Sequence, residues 1–273
     1  MLTPERILAF QERVYYYYNE HGRTLPWRKT TNPYYILVSE IMLQQTQVER
    51  VIEKYEQFIR KFPDFAQLDE APLHQVLEVW RGLGYNRRAV ALKKIARIIM
   101  DTFDGTMPTD WKILMTLPGI GRATAAAICA FAFNKPVVFI ETNVRTVFIH
   151  VFFQDKGDVK DSDISPLVEE TLDRSNPREW YYALMDYGVM LKKSYKNPSR
   201  KSAHHKKQTL FEGSNRQLRG IILKTLIENP TVSESDLLIK LNGDPQNIQK
   251  NLVQLEKEGF FKRRGNKFII NSV

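Results

Sequence analysis

A chain of 273 residues, 43% hydrophobic and 26% charged, is expected to be globular, with one sizeable core and room for a second small one. Lys+Arg number 40 against 31 Asp+Glu, so the formal net charge is +9 and the pI is near 9.4, the footprint of a polyanion binder. A single cysteine excludes an internal disulfide and suits a reducing cytoplasm, and no apolar run approaches the ~20 residues of a membrane span.

The opening "MLTPERILAF" is amphipathic and charged, unlike a signal peptide, so a cytoplasmic protein is expected. Apolar residues recur at three- and four-residue spacing over residues 7–18, 48–62, 73–82, 89–103 and 111–116, which predicts helices with brief connections. Asn32 before Pro33 is a helix start, a cap residue followed by proline at the first helical position. The helix it opens, "YYILVSEIMLQQTQV", surrounds Glu40 with Ile36, Leu37, Val38, Ile41, Met42 and Leu43, so it is expected to be buried. A buried carboxylate without a partner keeps its proton to higher pH and can give it up near neutrality. The alternative for Glu40 is a structural ion pair, for example with Arg28.

At residues 117–127, "LPGIGRATAAA", Pro118 stops one helical pattern and small residues open another. Gly119 and Gly121 can take positive φ, and the bare backbone N–H groups at the start of the next helix suit a phosphate. Arg122 and Thr124 add donors, and Leu117 completes the expected phosphate-holding set with Gly119 and Gly121. Cys129, within "AAAICAFAF", is expected to serve packing. Only "PVVFI", residues 136–140, is strand-like. Glu141 follows it and precedes Asn143 and a helix starting near Val144. It is either a plain helix-cap acid or a carboxylate held ionised by helix-start N–H groups beside a cleft. One acid kept neutral and one kept charged is the arrangement that breaks a glycosidic bond.

Residues 192–211, "KKSYKNPSRKSAHHKKQTLF", carry seven Lys/Arg and no acid, which reads as a solvated linker, a contact to a nucleic-acid backbone, or both. Beyond it, helices are predicted over 216–228, from a Ser233 cap with Asp236 three residues on, and over 246–258 after the turn "NGDP". "FFKRR", the turn "GN" and "KFII" follow as a hairpin. Three helices and a β-hairpin resemble a winged-helix domain, a binder of DNA or of protein. Residues 214–273 hold ten Lys/Arg and six Asp/Glu, a charge that favours DNA mildly.

"LPWR", "SEIMLQQTQV", "GLGY" and "LPGIGRATAAAI", in this order and spacing, resemble the MutY-type adenine DNA glycosylases of the helix-hairpin-helix superfamily, which also holds endonuclease III. The resemblance covers roughly residues 23–191. It implies an all-α, two-lobed glycosylase core over 1–198, with a six-helix lobe at about 25–135 and a second lobe from 1–24 plus 136–198. A basic linker over 199–213 and a winged-helix domain over 214–273 complete the expected organisation. By the resemblance Glu40 matches the acid that protonates adenine at N7, and Gln45 the glutamine wedge beside the emptied stack, with Tyr85 in a nearby loop. Trp27 and Arg28 match residues near the flipped base. Gly119 and Gly121 match the hairpin that holds backbone phosphate, and Asn143 the asparagine that positions the second carboxylate. The implied partner is double-stranded DNA carrying a mispaired or damaged base, and a monomer is the default expectation.

Three departures from the family pattern matter. The family's second carboxylate is an aspartate, and Glu141 moves the charge by ~1.5 Å, a covalent bond's length. Most relatives hold a four-iron–four-sulfur cluster on four cysteines, whereas the matching positions here are Lys192, Ser199, Ser202 and Gln208, so no cluster is expected. His204 and His205 lack companion ligands, so no replacement metal is expected either. The family's usual C-terminal domain, which reads 8-oxoguanine, gives way to the winged helix. Endonuclease III relatives carry a strand-cleaving lysine where this chain has Ala123, which implies a monofunctional enzyme. The resulting expectation is removal of adenine mispaired with guanine or 8-oxoguanine. The rivals are a thymine or uracil mismatch glycosylase, and a non-catalytic DNA-binding protein with a disabled pocket.

Overall fold

The computed structural model describes residues 1–205, 210–229, 232–241, 243–265 and 267–271. In chain order the helices are α1 (Pro4–His21), α2 (Pro33–Leu43), α3 (Val48–Lys61), α4 (Phe65–Glu70), α5 (Leu73–Trp80), α6 (Arg87–Phe103), α7 (Trp111–Leu114), α8 (Arg122–Phe133), α9 (Thr142–Phe152), α10 (Asp161–Thr171) and α11 (Pro177–Ser194). Then come α12 (Asn215–Glu228), α13 (Glu234–Leu241), α14 (Pro245–Lys257) and the antiparallel pair β1 (Phe261–Arg264) and β2 (Lys267–Ile270). Short 3-10 turns form at Pro26–Lys29 and Pro198–Lys201. The fold is all-α, a helix-hairpin-helix core followed by a winged-helix segment of three helices and a hairpin.

Side chains at the boundaries account for many of these ends. Asn32 Oδ1 accepts the Tyr34 N–H at 2.9 Å, and Pro33 fills the first position of α2. Ser233 Oγ accepts the Asp236 N–H at 3.1 Å and donates to the Asp236 carboxylate at 2.7 Å, opening α13. Asp244 caps α14 through the N–H groups of Gln246 and Asn247. The turns "NGDP" and "GN" include Asn242 and Asn266, which lie outside the described residues.

The chain forms two compact units. One comprises Met1–Glu40, Pro108–Thr116 and Ile120–Lys207; the other comprises Ile41–Met107, Leu117–Gly119 and Gln208–Val273. In the first, Phe10 meets the rings of Phe148, Phe152 and Trp180 edge-on, and Phe131 stacks on Tyr182 at 4.5 Å. Gly188 lets α11 approach α9: a Cβ there would lie 2.5 Å from the Asn143 carbonyl oxygen. In the second unit, Phe58, Trp80, Leu92 and Ile95 are buried in the helical part. Ile222, Leu226, Leu252, Phe260 and Phe261 are buried in the winged-helix part.

Several expectations change. Residues 136–140 pair with no strand among the described residues. One side chain serves this backbone instead: the Tyr181 hydroxyl donates to Val137 O at 3.0 Å and accepts the Phe139 N–H at 3.3 Å. Helix α4, which the sequence reading passed over, is a single capped turn and a half, with Asp64 accepting the Gln67 N–H. Residues 198–203 are not a solvated linker. Ser199 and Ser202 are buried, and Val159 exchanges backbone hydrogen bonds with Lys201 and Ala203. Cys129 is buried in α8, its thiol donates to Thr109 O, and burial pushes its pKa up to about 11. No helix among the described residues is long and apolar enough to cross a membrane.

Candidate active site

Helix α2 carries Glu40 on a wholly buried stretch: Ile36, Leu37, Val38, Ile41 and Met42 are each at most 1% exposed. Glu40 itself keeps a partly accessible surface, yet no cation pairs with it among the described residues. Burial first, and the negative charge of Glu141 second, push its pKa up to about 8. The carboxyl is therefore mostly protonated at neutral pH.

The alternative ion pair is excluded by where Arg28 goes. Its guanidinium grips Asp186 in a bidentate pair, both bonds 2.8 Å, and lies 4.5 Å over the Tyr182 ring. Asp186 also takes the Arg23 N–H and Nε. Burial alone would raise the Asp186 carboxyl, but hydrogen bonds and charge from Arg28 and Arg23 outweigh it and hold it below its usual range. Trp27 is 3% exposed on the same short turn.

Glu141 shares the first unit with Glu40. It caps α9, with Oε1 accepting the N–H groups of Asn143 at 2.7 Å and Val144 at 2.9 Å. Its other oxygen accepts from Asn143 Nδ2 at 3.2 Å. From the sequence Glu141 is either a plain helix-cap acid or a carboxylate held ionised by these donors. Burial raises its pKa above the usual carboxylate value, while the N–H groups, Lys192 and Arg145 pull the other way without cancelling the rise. The two acids still differ in kind. Glu141 collects donors that favour its charged form, and Glu40 has an apolar surround. When one proton is shared out between two like-charged neighbours, it belongs on Glu40.

Gln45 and Tyr85 lie in the second unit, both in the left-handed backbone region with φ of 55° and 47°. Arg88, which no motif in the sequence marks, holds them. Its Nη1 donates to the carbonyls of Ile41, Met42 and Gln44, and its Nη2 to those of Leu83 and Gly84 and to the Thr46 hydroxyl. One buried guanidinium thus closes the C-terminal end of α2 and the loop before α6. Burial lowers its pKa to about 10, so it stays cationic at neutral pH. Arg88→Met is expected to cost about 3 kcal/mol or more, because carbonyls would be left buried and unsatisfied. Urea unfolding measures it, and a loss below about 1 kcal/mol would show that water replaces the guanidinium. The Tyr85 hydroxyl accepts from Arg216 Nη1 at 2.9 Å, beside a groove of about 880 Å³ lined by Gln45, Arg50, Tyr85, Arg87, Arg216 and Lys224.

Gly119 has φ +75°, as the turn requires, and its carbonyl accepts from Gln44. Gly121 does not take positive φ: it is extended at −88° and caps α8 with open space where a Cβ would stand. Leu117 is buried, Arg122 is exposed with its guanidinium over the Trp111 ring, and Thr124 is half-buried in the first turn of α8. The structure thus gathers Trp27, Arg28, Glu40, Gly121, Arg122, Thr124, Glu141 and Asn143 in the first unit, and Gln45, Tyr85, Leu117 and Gly119 in the second.

The residues at the four cluster positions do not suit iron. Lys192 Nζ donates to Asn143 Oδ1 at 2.7 Å. The Ser199 hydroxyl donates to Asn197, the Ser202 hydroxyl accepts the His204 N–H, and Gln208 lies outside the described residues. Four thiolates cannot be assembled from one cysteine, and that one is buried in α8. No group of His, Cys, Asp and Glu able to hold a metal ion occurs among the described residues.

Residues 38–169 match the family described as HhH-GPD superfamily base excision DNA repair protein. An adenine DNA glycosylase of Buchnera aphidicola subsp. Baizongia pistaciae (strain Bp) is 36% identical over 189 residues, covering 67% of this chain and 53% of that protein. The chain spans about half the length of the curated relatives it matches. Among solved structures, a thermostable thymine-DNA glycosylase is similar with a TM-score of 0.61 and 26% identity, over 68% of this chain and 87% of that one. A trapped endonuclease III–DNA covalent intermediate shares the fold with a TM-score of 0.57 and 20% identity, over 79% and 94% of the two chains.

Proposed function

Through residues 38–169 the chain belongs to the HhH-GPD superfamily of base excision DNA repair proteins, and from that membership we propose that it is a monofunctional DNA glycosylase acting on adenine mispaired with guanine or 8-oxoguanine. The observation that carries the reading is the pair of acids in one unit, Glu40 without a cation and protonated near neutrality, Glu141 surrounded by donors. The similarity to adenine DNA glycosylases supports the choice of base.

In this reading the target adenine leaves the stack, since its glycosidic bond is unreachable inside a duplex. Glu40 gives its proton to adenine N7. The electron pair of the bond between the base and C1′ departs with the base, and positive charge develops on the sugar. Glu141, oriented by Asn143, stabilises that charge, an effect worth several kcal/mol in a dry site, about 3 kcal/mol being typical. Water then bonds to C1′ and gives its proton to the Glu40 carboxylate, which resets the acid. Trp27 and Arg28 flank the flipped base, and Gln45 and Tyr85 fill the space it leaves. Leu117, Gly119, Gly121, Arg122 and Thr124 hold backbone phosphate.

The same proposal extends to organisation. The glycosylase domain occupies 1–198 with residues 199–203 packed onto it, a linker leads on to 213, and the winged helix occupies 214–273, adding a contact to DNA or to a protein. Ala123 leaves no lysine after the hairpin, so strand cleavage is not part of the activity. No iron–sulfur cluster is bound, on the donor set described above. The protein works as a monomer in the cytoplasm.

Excess enzyme incubated with duplexes containing A·8-oxoguanine, A·G, T·G or U·G, then treated with alkali, tests the proposal. Breaks confined to adenine strands are expected. Breaks at thymine or uracil would assign the pyrimidine activity instead, the reading favoured by the likeness to the thymine-DNA glycosylase. Binding without any break would leave a DNA-binding protein with a disabled pocket.

A further inference from the structure

We propose that Lys192 is a positioning residue for Glu141: its ammonium orients the Asn143 amide and supplies the resident cation of the carboxylate's surround. The inference rests on the glycosylase reading for its kinetic consequence but not for its geometry.

Lys192 stands one helical turn after Gly188 on α11, and therefore on the same face. At Gly188 a Cβ would lie 2.5 Å from Asn143 O and 2.8 Å from Asn143 Cβ, so the first turn of α9 rests directly on bare backbone. That close approach brings the Lys192 stem over Asn143. Its Nζ donates to Asn143 Oδ1 at 2.7 Å, and the same amide donates through Nδ2 to Glu141 Oε2 at 3.2 Å. An ammonium has donors and no acceptor. It can meet only the oxygen end of the amide, so the nitrogen end must face Glu141. Without the lysine the amide is free to turn and present a second oxygen to the carboxylate.

The other charges near this pair are accounted for. Arg145, on α9 itself, is committed to Asp161 by bonds of 2.7 and 2.8 Å. Arg23, which faces Lys192, is committed to Asp186. Glu40, from α2, feels the negative charge of Glu141 and is itself mostly protonated at neutral pH, so it adds little charge to the pair. Lys192 is thus the cation that reaches the Glu141–Asn143 pair without a carboxylate of its own among the described residues. Burial lowers its pKa and the charge of Glu141 raises it. At this position, which matches a cluster cysteine in the resembled family, the chain carries a lysine that meets the Asn143 amide.

The test uses the full chain with Lys192→Met, Lys192→Gln and Lys192→Arg. The Glu141 carboxyl is titrated by carbon-13 NMR, assigned by its disappearance in Glu141→Gln, and single-turnover adenine release is followed against pH. Removing a facing cation is expected to raise the Glu141 midpoint by about one pH unit. The acid-side limb of the rate profile should move up with it by about one pH unit, slowing release up to about tenfold at pH values below that limb, while Lys192→Arg stays near the parent. Lys192→Gln keeps a hydrogen-bond donor without the charge, and serves if Lys192→Met does not fold. A folded neutral variant with an unmoved Glu141 midpoint overturns the proposal. So does borohydride trapping of DNA on Lys192, which would make it a nucleophile. A shifted midpoint in a protein that releases no base from any duplex would retain the positioning role and reject the glycosylase reading instead.

Discussion

Glu40→Gln is expected to slow single-turnover adenine release by about 10³-fold, while duplex affinity changes by less than about threefold. Glutamine matches glutamate in size and shape but has no proton to transfer to N7. The parent rate should fall as pH rises through about 8, where Glu40 loses its proton, and the residual rate of the variant should lack that limb. Stability carries the opposite sign. An unfolded glutamate ionises near 4.5 and the folded one near 8, so the parent loses folding free energy as pH rises between those values. Glu40→Gln escapes that loss. Its gain over the parent should grow from about pH 4.5 and level off above about pH 8. Undiminished adenine release by Glu40→Gln would remove the residue from the mechanism. A stability gain that does not vary with pH would mean the carboxyl is not desolvated.

Glu141→Gln is the second large effect, a loss of about 10²- to 10³-fold in the same assay, the usual consequence of deleting one preorganised charge from a site of developing charge. A glutamine oxygen can still accept the N–H groups of Asn143 and Val144, so α9 should keep its start. The amide hydrogens would then face Asn143 Nδ2, and the sugar would lose its counter-charge. Glu141→Asp separates charge from reach. It retains the cap and withdraws the carboxylate by ~1.5 Å, a displacement that costs up to about 10²-fold where geometry is tight. Full single-turnover rate in Glu141→Gln would show that the second carboxylate lies elsewhere.

The candidate acid was legible because an amphipathic period fails in α2. Apolar residues on every side of Glu40 announce burial, and burial of a carboxyl is itself the chemical signal. The winged helix was legible for a different reason: Ser233 and Asp236 mark one helix start, and Gly259 marks the end of the last helix, at φ +88°. Residues 136–140 misled because a short run of β-branched and aromatic side chains reports a segment that fits a pleat. It does not report whether a strand stands beside it, and here a tyrosine hydroxyl from α11 does. Gly121 misled because glycine permits positive φ without requiring it. Here the extended backbone does not call on that freedom, and a Cβ would meet nothing within 4 Å. Arg88 and Lys192 were invisible as functional residues because each acts on backbone or amide groups distant in sequence. Lys192 left one trace: a lysine four residues after a glycine, in a helix otherwise apolar on that face.

The buried thiol of Cys129 has a practical corollary. Shut inside α8 and reluctant to ionise, it should ignore maleimides and resist peroxide at neutral pH. Cysteines introduced in pairs on the surface of one unit would then be the only addresses for dyes or spin probes, so distances within that unit could be followed in an otherwise native chain.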